Sequence, residues 1–362
     1  MRNLLNEDGG GFDYAAFDHS PFVHYTEILH KHGMNSAQIH ELFVMWSEPH
    51  RVYHDLNHLK KVLELVENWK KIHPGWSQEQ HEKMVLAAVF HDAVYNIHSK
   101  TNEEDSAELY KKMCTPVDGV YEMILDTKNH TKKPSSYESE VFLSLDIHIL
   151  IFGTLSEMIE DEKKIFREFG FADFAVYKEN RNNLLESFRS HILKVFPTSK
   201  FPEYLDWCKN SNKPRIAVYP GSFNPFHVGH YDILTRAEKM FDKVIILLGT
   251  NPAKESSGMA RMHYIDKLKK ALPNNQIEIF EGMLHAHVKS LPYPVTIIKG
   301  LRNEDDFKSE KTQLRFMEDL SRGDAIDICY IVGDRKYEHV SSSAIRQINS
   351  VGGDTSNYVF VK

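Results

Sequence analysis

The sequence predicts two domains of different class, an all-α first half and an α/β second half built on a parallel sheet. Three observations support this. Apolar residues recur at helical period from residue 22 to about 200. Beyond residue 214, short β-branched runs alternate with helical patterns, as parallel sheets require. Between the two textures lies a polar, proline-bearing stretch, "DWCKNSNKPR" (Asp206 to Arg215). A length of 362 residues suits two domains or three.

Composition narrows the class. With 41% hydrophobic residues, 26% charged residues and a net charge of −7, the chain is globular and offers no broad basic surface for nucleic acid. Cys114, Cys208 and Cys329 are odd in number and far apart, which fits neither a disulfide framework nor a cysteine zinc site. The first thirty residues lack the apolar stretch of a signal peptide, and no apolar run reaches 18 residues. A cytoplasmic protein is expected. Histidine is the unusual count: 21 in all, of which 15 precede residue 213.

In chain order, residues 1–20, with Gly9 to Gly11, are expected to form a loose lead-in. The first domain is expected over 21–208. Its "HLKKVLELVENWKKI" places Leu59, Val62, Leu63, Val66 and Trp69 on one stripe. "QEQHEKMVLAAVFHDAVY", "NEEDSAELYKKM" and "YKENRNNLLESFRSHILKVF" suit further helices. The second domain is expected over 214–362, with "RIAVY", "KVIILLG", "TIIKG" and "DICYIV" as strands. After the first of these, "YDILTRAEKMF" reads as a helix with Ile233, Leu234, Ala237 and Met240 on one face.

The first half places chemistry-bearing residues at suggestive spacing. "YHDLNHL" sets His54 and His58 one helical turn apart, "FHD" offers His91 and Asp92 side by side, and "LSLDIHIL" puts Asp146 within an apolar run. Singly, each fits an exposed pair, a cap or an ion-pair partner. Together they match the ligand set of the HD phosphohydrolase superfamily. The first half resembles a family of metal-dependent HD phosphohydrolases over "EPHRVYHDLNHL", "AAVFHDAVYN", "TNEEDSAEL", "ILDTKNH", "LSLDIHIL" and "YKENRNNLL", with Thr101 standing where that family carries an acidic residue. The resemblance implies a divalent transition metal (Mn, Fe, Co, Ni or Zn) on His58, His91, Asp92 and Asp146, and a phosphate-ester substrate. His54 resembles the histidine of cyclic-nucleotide phosphodiesterases that protonates the leaving oxygen. Glu103, Lys128 and His130 are candidates for outer contacts. The alternative is a half that binds a regulatory nucleotide without turnover.

The second half centres on "GSFNPFHVGH", a strand-to-helix turn with Gly221 and Gly229, and with His227 and His230 at a helix start. Glycine permits close backbone approach, and a helix N-terminus favours anions. "TNPAK" adds Lys254, "KGLRNEDDF" adds Lys299 and Arg302, and "VSSSAIRQ" opens a later helix with Ser341, Ser342 and Ser343. A tight turn with capping residues is the structural reading of the same segments. The set resembles the nucleotidyltransferase superfamily with H-x-G-H and S-S-S-x-I-R signatures. Within it, the resemblance is closest to pantetheine-phosphate adenylyltransferases, over "AVYPGSFNPFHVGHYDILTRAEKMFDKVI", "IIKGLRNEDDFKSEKTQLRFMEDLSR" and "GGDTSNYV".

That resemblance implies a Rossmann-like fold, ATP with Mg²⁺, a phosphopantetheine-like acceptor and homo-oligomers. By position, His230 and His227 attend the transferring phosphoryl group with Lys254 and Arg302. Gly221, Ser222, Phe223, Lys299, Gly300, Glu310 and the three serines contact the nucleotide or acceptor. Lys299 replaces the family's arginine, Glu255 its second lysine, and "ARMHYIDKL" its F-x-x-E-E-R segment. The alternative acceptor is nicotinamide mononucleotide. Neither nucleic acid nor a membrane is expected as a partner.

Overall fold

The computed structural model describes residues 22–249, 258–321 and 327–360. The expected lead-in and Lys254 lie outside them. The chain divides into two compact units. One runs to Glu168 and resumes over Lys178–Asn212; the other comprises Phe169–Tyr177 and Lys213–Lys362.

The first unit is helical among its described residues. Helix Leu56–Ile72 is started by Asp55, whose carboxylate accepts from the amides of Asn57 and His58, and it buries Leu59, Val62, Leu63 and Val66. Helix Gln78–Phe90 opens on a capping box between Ser77 and Gln80 and is buried from Met84 to Phe90, so it forms the centre of the core. Helices Asn102–Met113, Val120–Asp126 and Tyr137–Asp146 pack around it. A second apolar cluster gathers Leu150, Ile151, Leu185, Ile192, Phe201 and Tyr204. Cys208 is buried in that cluster within a π turn over Trp207–Ser211, so the polar boundary stretch begins as packed helix. No helix among the described residues is long and apolar enough to cross a membrane.

The second unit carries a five-stranded parallel sheet: β1 (Ile216–Gly221), β2 (Lys243–Gly249), β3 (Ile277–Phe280), β4 (Val295–Leu301) and β5 (Ile328–Val332), in the order β3-β2-β1-β4-β5. The expected strands form β1, β2, β4 and β5; β3, from "IEIF", is additional. Ile216 pairs with Lys243 on one side and Val295 on the other. Helices cover both faces, which explains the unbroken apolar run of β2. Ala217, Tyr219, Val244 and Ile246 pack against Ile233, Leu234 and Ala237 of helix Val228–Met240. Met240 departs from the expected stripe and is exposed.

Ile216, Val218, Ile245, Leu247 and Ile297 form the opposite core, and Phe174 packs against it. The compact α/β unit thus takes in Phe169–Tyr177, a segment inside the 21–208 expected for the first domain. Phe169–Tyr177 belongs with the sheet because the Lys243 ammonium donates to the carbonyls of Gly170 and Ala172, and the Tyr293 hydroxyl donates to Asp173 at 2.7 Å.

Candidate functional site

In the α/β unit the strand order reverses at β1, whose neighbours run outward to β2 and to β4. Ligands of such sheets bind beyond the carboxyl ends of the strands at that point. The turn after β1 is shaped by Phe223, which has a positive φ of 44° and a buried ring. A Cβ on Gly221 would lie 2.8 Å from that ring, so glycine is needed there for packing. The Phe223 ring meets Tyr219, Phe226 and His230. Ser222 is exposed beside it.

His227 caps helix Val228–Met240. Its Nδ1 accepts from the His230 amide at 3.3 Å, and His230 Nδ1 accepts from the His227 amide at 3.3 Å. Two accepting Nδ1 atoms leave both rings with the proton on Nε2. The rings stack at 3.6 Å and 20°, so the two N–H donors run nearly side by side. Burial, then the Arg302 charge, lowers the His227 pKa to about 4; burial, His227 and Arg302 push His230 well below the usual range. Both imidazoles are therefore neutral donors at neutral pH.

Other expected residues converge on this turn. Ser341 caps helix Ser342–Ser350 by accepting from the Ala344 amide. Ser342 donates to the Pro225 carbonyl at 3.0 Å, and Arg346 donates to the Asn224 carbonyl and, at 3.1 Å, to the Ser343 hydroxyl. The start of the second helix is thus fastened to the turn that starts the first. Arg302, just past β4, holds the Asp306 carboxylate through Nε and Nη2 at 2.9 Å each. Lys299 faces Glu310 at 2.7 Å, so these two pair with each other. Gly300 lies under Ile233, where a Cβ would come within 2.9 Å. Its smallness serves helix-to-sheet packing.

In the helical unit the dispersed residues meet. His58 Nε2 is 3.2 Å and His91 Nε2 3.4 Å from Asp146 Oδ1, and His130 Nε2 is 2.8 Å from Oδ2. One ligand atom each from His58, His91 and Asp146 lie within 4.8 Å of one another. Asp92 is not in that trio, but its Oδ2 is 3.4 Å from His91 Nε2. His91 donates through Nδ1 to the Ala88 carbonyl, which turns the buried Nε2 into the cluster, where no group among the described residues makes a well-aligned hydrogen bond to it. Burial lowers the His91 pKa, but Asp92 and Asp146 outweigh it and raise it to about 9. Burial opposes ionisation of Asp146, yet His91, His130 and His58 hold its pKa far down.

Arg51, itself buried, joins the two ligand-bearing segments by donating to the carbonyls of His54, Asp92 and Ala93. Burial raises the Glu103 pKa and the Asp92 charge adds to it, while Lys128 is drawn to Glu104 and lies 3.8 Å from Glu103. His54 Nδ1 meets Glu168 Oε1 at 2.5 Å, and its Nε2 lies 4.0 Å from Asp92 Oδ2. Glu168 was not expected. In "DEKKIFREF" it reads as another polar position of an amphipathic helix.

The α/β half, a parallel sheet with paired imidazoles at its switch point, is adenylyltransferase-like by its relatives. Residues 218–348 match the cytidylyltransferase-like family. Over 146 residues the chain is 34% identical to the phosphopantetheine adenylyltransferase of Levilactobacillus brevis, covering 40% of this chain and 89% of that protein. The protein of that name from Clostridium novyi is 38% identical over 141 residues, covering 38% and 86%. That from Clostridium beijerinckii is 38% identical over 149 residues, covering 40% and 91%. Through this stretch the chain belongs to the phosphopantetheine adenylyltransferase family.

Proposed function

We propose that the α/β half transfers the adenylyl group of ATP to 4′-phosphopantetheine, releasing pyrophosphate and forming dephospho-coenzyme A. The stacked, neutral His227–His230 pair is the observation that carries this reading, and the names of the relatives supply the acceptor. An acceptor phosphate oxygen attacks the α-phosphorus, and the bond to the β-phosphate bridging oxygen breaks. His230 and His227 donate to the α-phosphate oxygens as charge builds there, a role best filled by donors already fixed in place. Arg302 exchanges Asp306 for phosphate, and the helix start at Ser341–Ser343 receives the far end of the triphosphate. Mg²⁺ carried with ATP would offset the triphosphate charge. Pyrophosphate release is measured with ATP against phosphopantetheine and nicotinamide mononucleotide in parallel. Release with the former alone is expected; release only with the mononucleotide reverses the assignment.

A second reading concerns the helical half: metal-dependent hydrolysis of a phosphate ester. It is favoured by the His58, His91 and Asp146 donors, with Asp92 beside them and the buried His91 Nε2 lacking a hydrogen-bond partner among the described residues. Two nitrogens and carboxylate oxygen suit a transition metal better than calcium. Such a metal supplies a polarised phosphoryl oxygen and a water acidic near neutral pH. Elemental analysis should find it in the wild type and not in Asp146→Ala. Wild-type protein that binds no metal after reconstitution removes this reading.

A further inference from the structure

We infer that Glu168 is a positioning residue for His54, holding the imidazole by Nδ1 so that Nε2 faces Asp92 and the donor cluster. The geometry stands by itself; its catalytic consequence rests on the hydrolase reading above. Glu168 ends helix Leu155–Glu168 and is fully buried. A buried carboxylate persists where its oxygens are satisfied. Here Oε2 accepts from the successive amides of Val52, Tyr53 and His54 at 2.8, 2.9 and 3.1 Å. Oε1 accepts from the Tyr95 hydroxyl at 2.6 Å and from His54 Nδ1 at 2.5 Å.

The two oxygens divide the work. Oε2 shapes the segment that leads into helix Leu56–Ile72, while Oε1 aims at one ring. Tyr95 stacks on that ring at 4.7 Å and Tyr53 meets it edge-on at 4.8 Å, which limits its rotation. An ionised carboxylate only accepts, so Nδ1 must carry a proton and the ring works through Nε2. In hydrolysis, the water oxygen bonds to phosphorus and the P–O bond to the leaving group breaks. The leaving oxygen takes the Nε2 proton, the proton lost by water restores it, and Glu168 stays ionised throughout.

The geometry is tested on the ¹⁵N-labelled full chain by histidine nitrogen–proton correlations. His54 should show a protonated Nδ1 in wild type, and a changed Nδ1 resonance in Glu168→Gln. An unprotonated wild-type Nδ1 overturns the inference. The consequence is tested with Mn²⁺-loaded protein on aryl phosphodiesters that differ in leaving group. Help to the leaving oxygen matters more for a poor leaving group. Glu168→Gln should therefore lower kcat about 10- to 100-fold on a phenyl ester and only about 5-fold or less on a 4-nitrophenyl ester, with bound Mn²⁺ and KM retained. An equal loss on both esters, or loss of Mn²⁺, reduces Glu168 to a folding role and overturns the inference. If wild type hydrolyses no ester, the hydrolase reading fails and the nitrogen spectrum alone decides the positioning. Should Glu168→Gln not fold, Tyr95→Phe removes one of the two Oε1 bonds and should show the same leaving-group trend at smaller size; no such trend counts against the inference.

Discussion

His227 and His230 cap each other across one helical turn: each backbone amide meets the other's Nδ1 at 3.3 Å, and the rings stack at 3.6 Å. The two side chains to which the proposed transfer assigns chemistry therefore also hold the helix start. His230→Ala should lower the AMP-transfer rate by about 10²–10³-fold, the usual loss for one transition-state donor. It should also cost about 1 kcal/mol of stability through the lost hydrogen bond from the His227 amide, the return half of the capping box. Transfer rate and urea midpoint measured on the same variant check both. A rate unchanged within twofold would mean that these imidazoles only cap.

The same burial sets a pH signature. The His227 pKa lies at about 4 and that of His230 well below its ordinary value of 6.5. Between about pH 4 and 6.5 the folded state thus holds fewer protons than the unfolded chain, and stability falls as pH drops through that window. The free-enzyme profile, kcat/KM for ATP against pH, should show no acid limb near 6.5. A limb there that vanishes in His227→Gln would place the imidazoles in water.

Lys299 and Glu310 lie 2.7 Å apart, and the proposed acceptor contact of Lys299 can be tested through that pair. If Lys299 only held phosphate, arginine in its place would tighten binding by offering two parallel bonds. Its pairing with Glu310 changes that expectation, because the guanidinium would first engage the carboxylate. Lys299→Arg should shift acceptor affinity by about threefold or less, whereas Glu310→Gln, which releases the ammonium, should tighten it. Calorimetry with phosphopantetheine distinguishes the two variants. Tightening in Lys299→Arg with none in Glu310→Gln would mean the pair does not compete with phosphate.

Much of this was legible in the sequence, for identifiable physical reasons. Helical period marked the stripe of Leu59, Val62, Leu63 and Val66, and β-branched runs marked β1, β2, β4 and β5, because burial writes itself into local pattern. β3 escapes a sequence reading because its four residues, Ile277, Glu278, Ile279 and Phe280, carry too little signal at an edge. The partnership of Glu168 with His54 and that of Phe174 with the sheet join residues distant in sequence, and no local period encodes such contacts. Glu168 also shares its helix with Glu157, Glu160, Asp161 and Glu162, of which Glu162 is buried too, so only its contacts with His54 and Tyr95 mark it out.

The α/β unit draws one segment, Phe169–Tyr177, from the middle of the chain. Lys243 is buried, and its ammonium donates to the carbonyls of Gly170 and Ala172. Burial pulls its pKa to about 7, against the opposing charges of Asp173 and Glu278. The folded value lies below the ordinary 10.5, so between about pH 7 and 10.5 the folded state binds fewer protons than the unfolded chain. Stability of this unit should accordingly rise with pH through that window. Lys243→Met removes the titrating group and leaves two carbonyls without their donor, at about 1–3 kcal/mol each. The variant should therefore be less stable at pH 9, and its stability should lose the upward slope. A fragment of residues 213–362 lacks the segment and the Phe174 ring, so adding the peptide 169–177 should raise its Tm. Urea midpoints at pH 7 to 10 for wild type and variant, with fragment melting with and without peptide, give the comparison. An unchanged slope in Lys243→Met together with no response to the peptide would return Phe169–Tyr177 to the helical half.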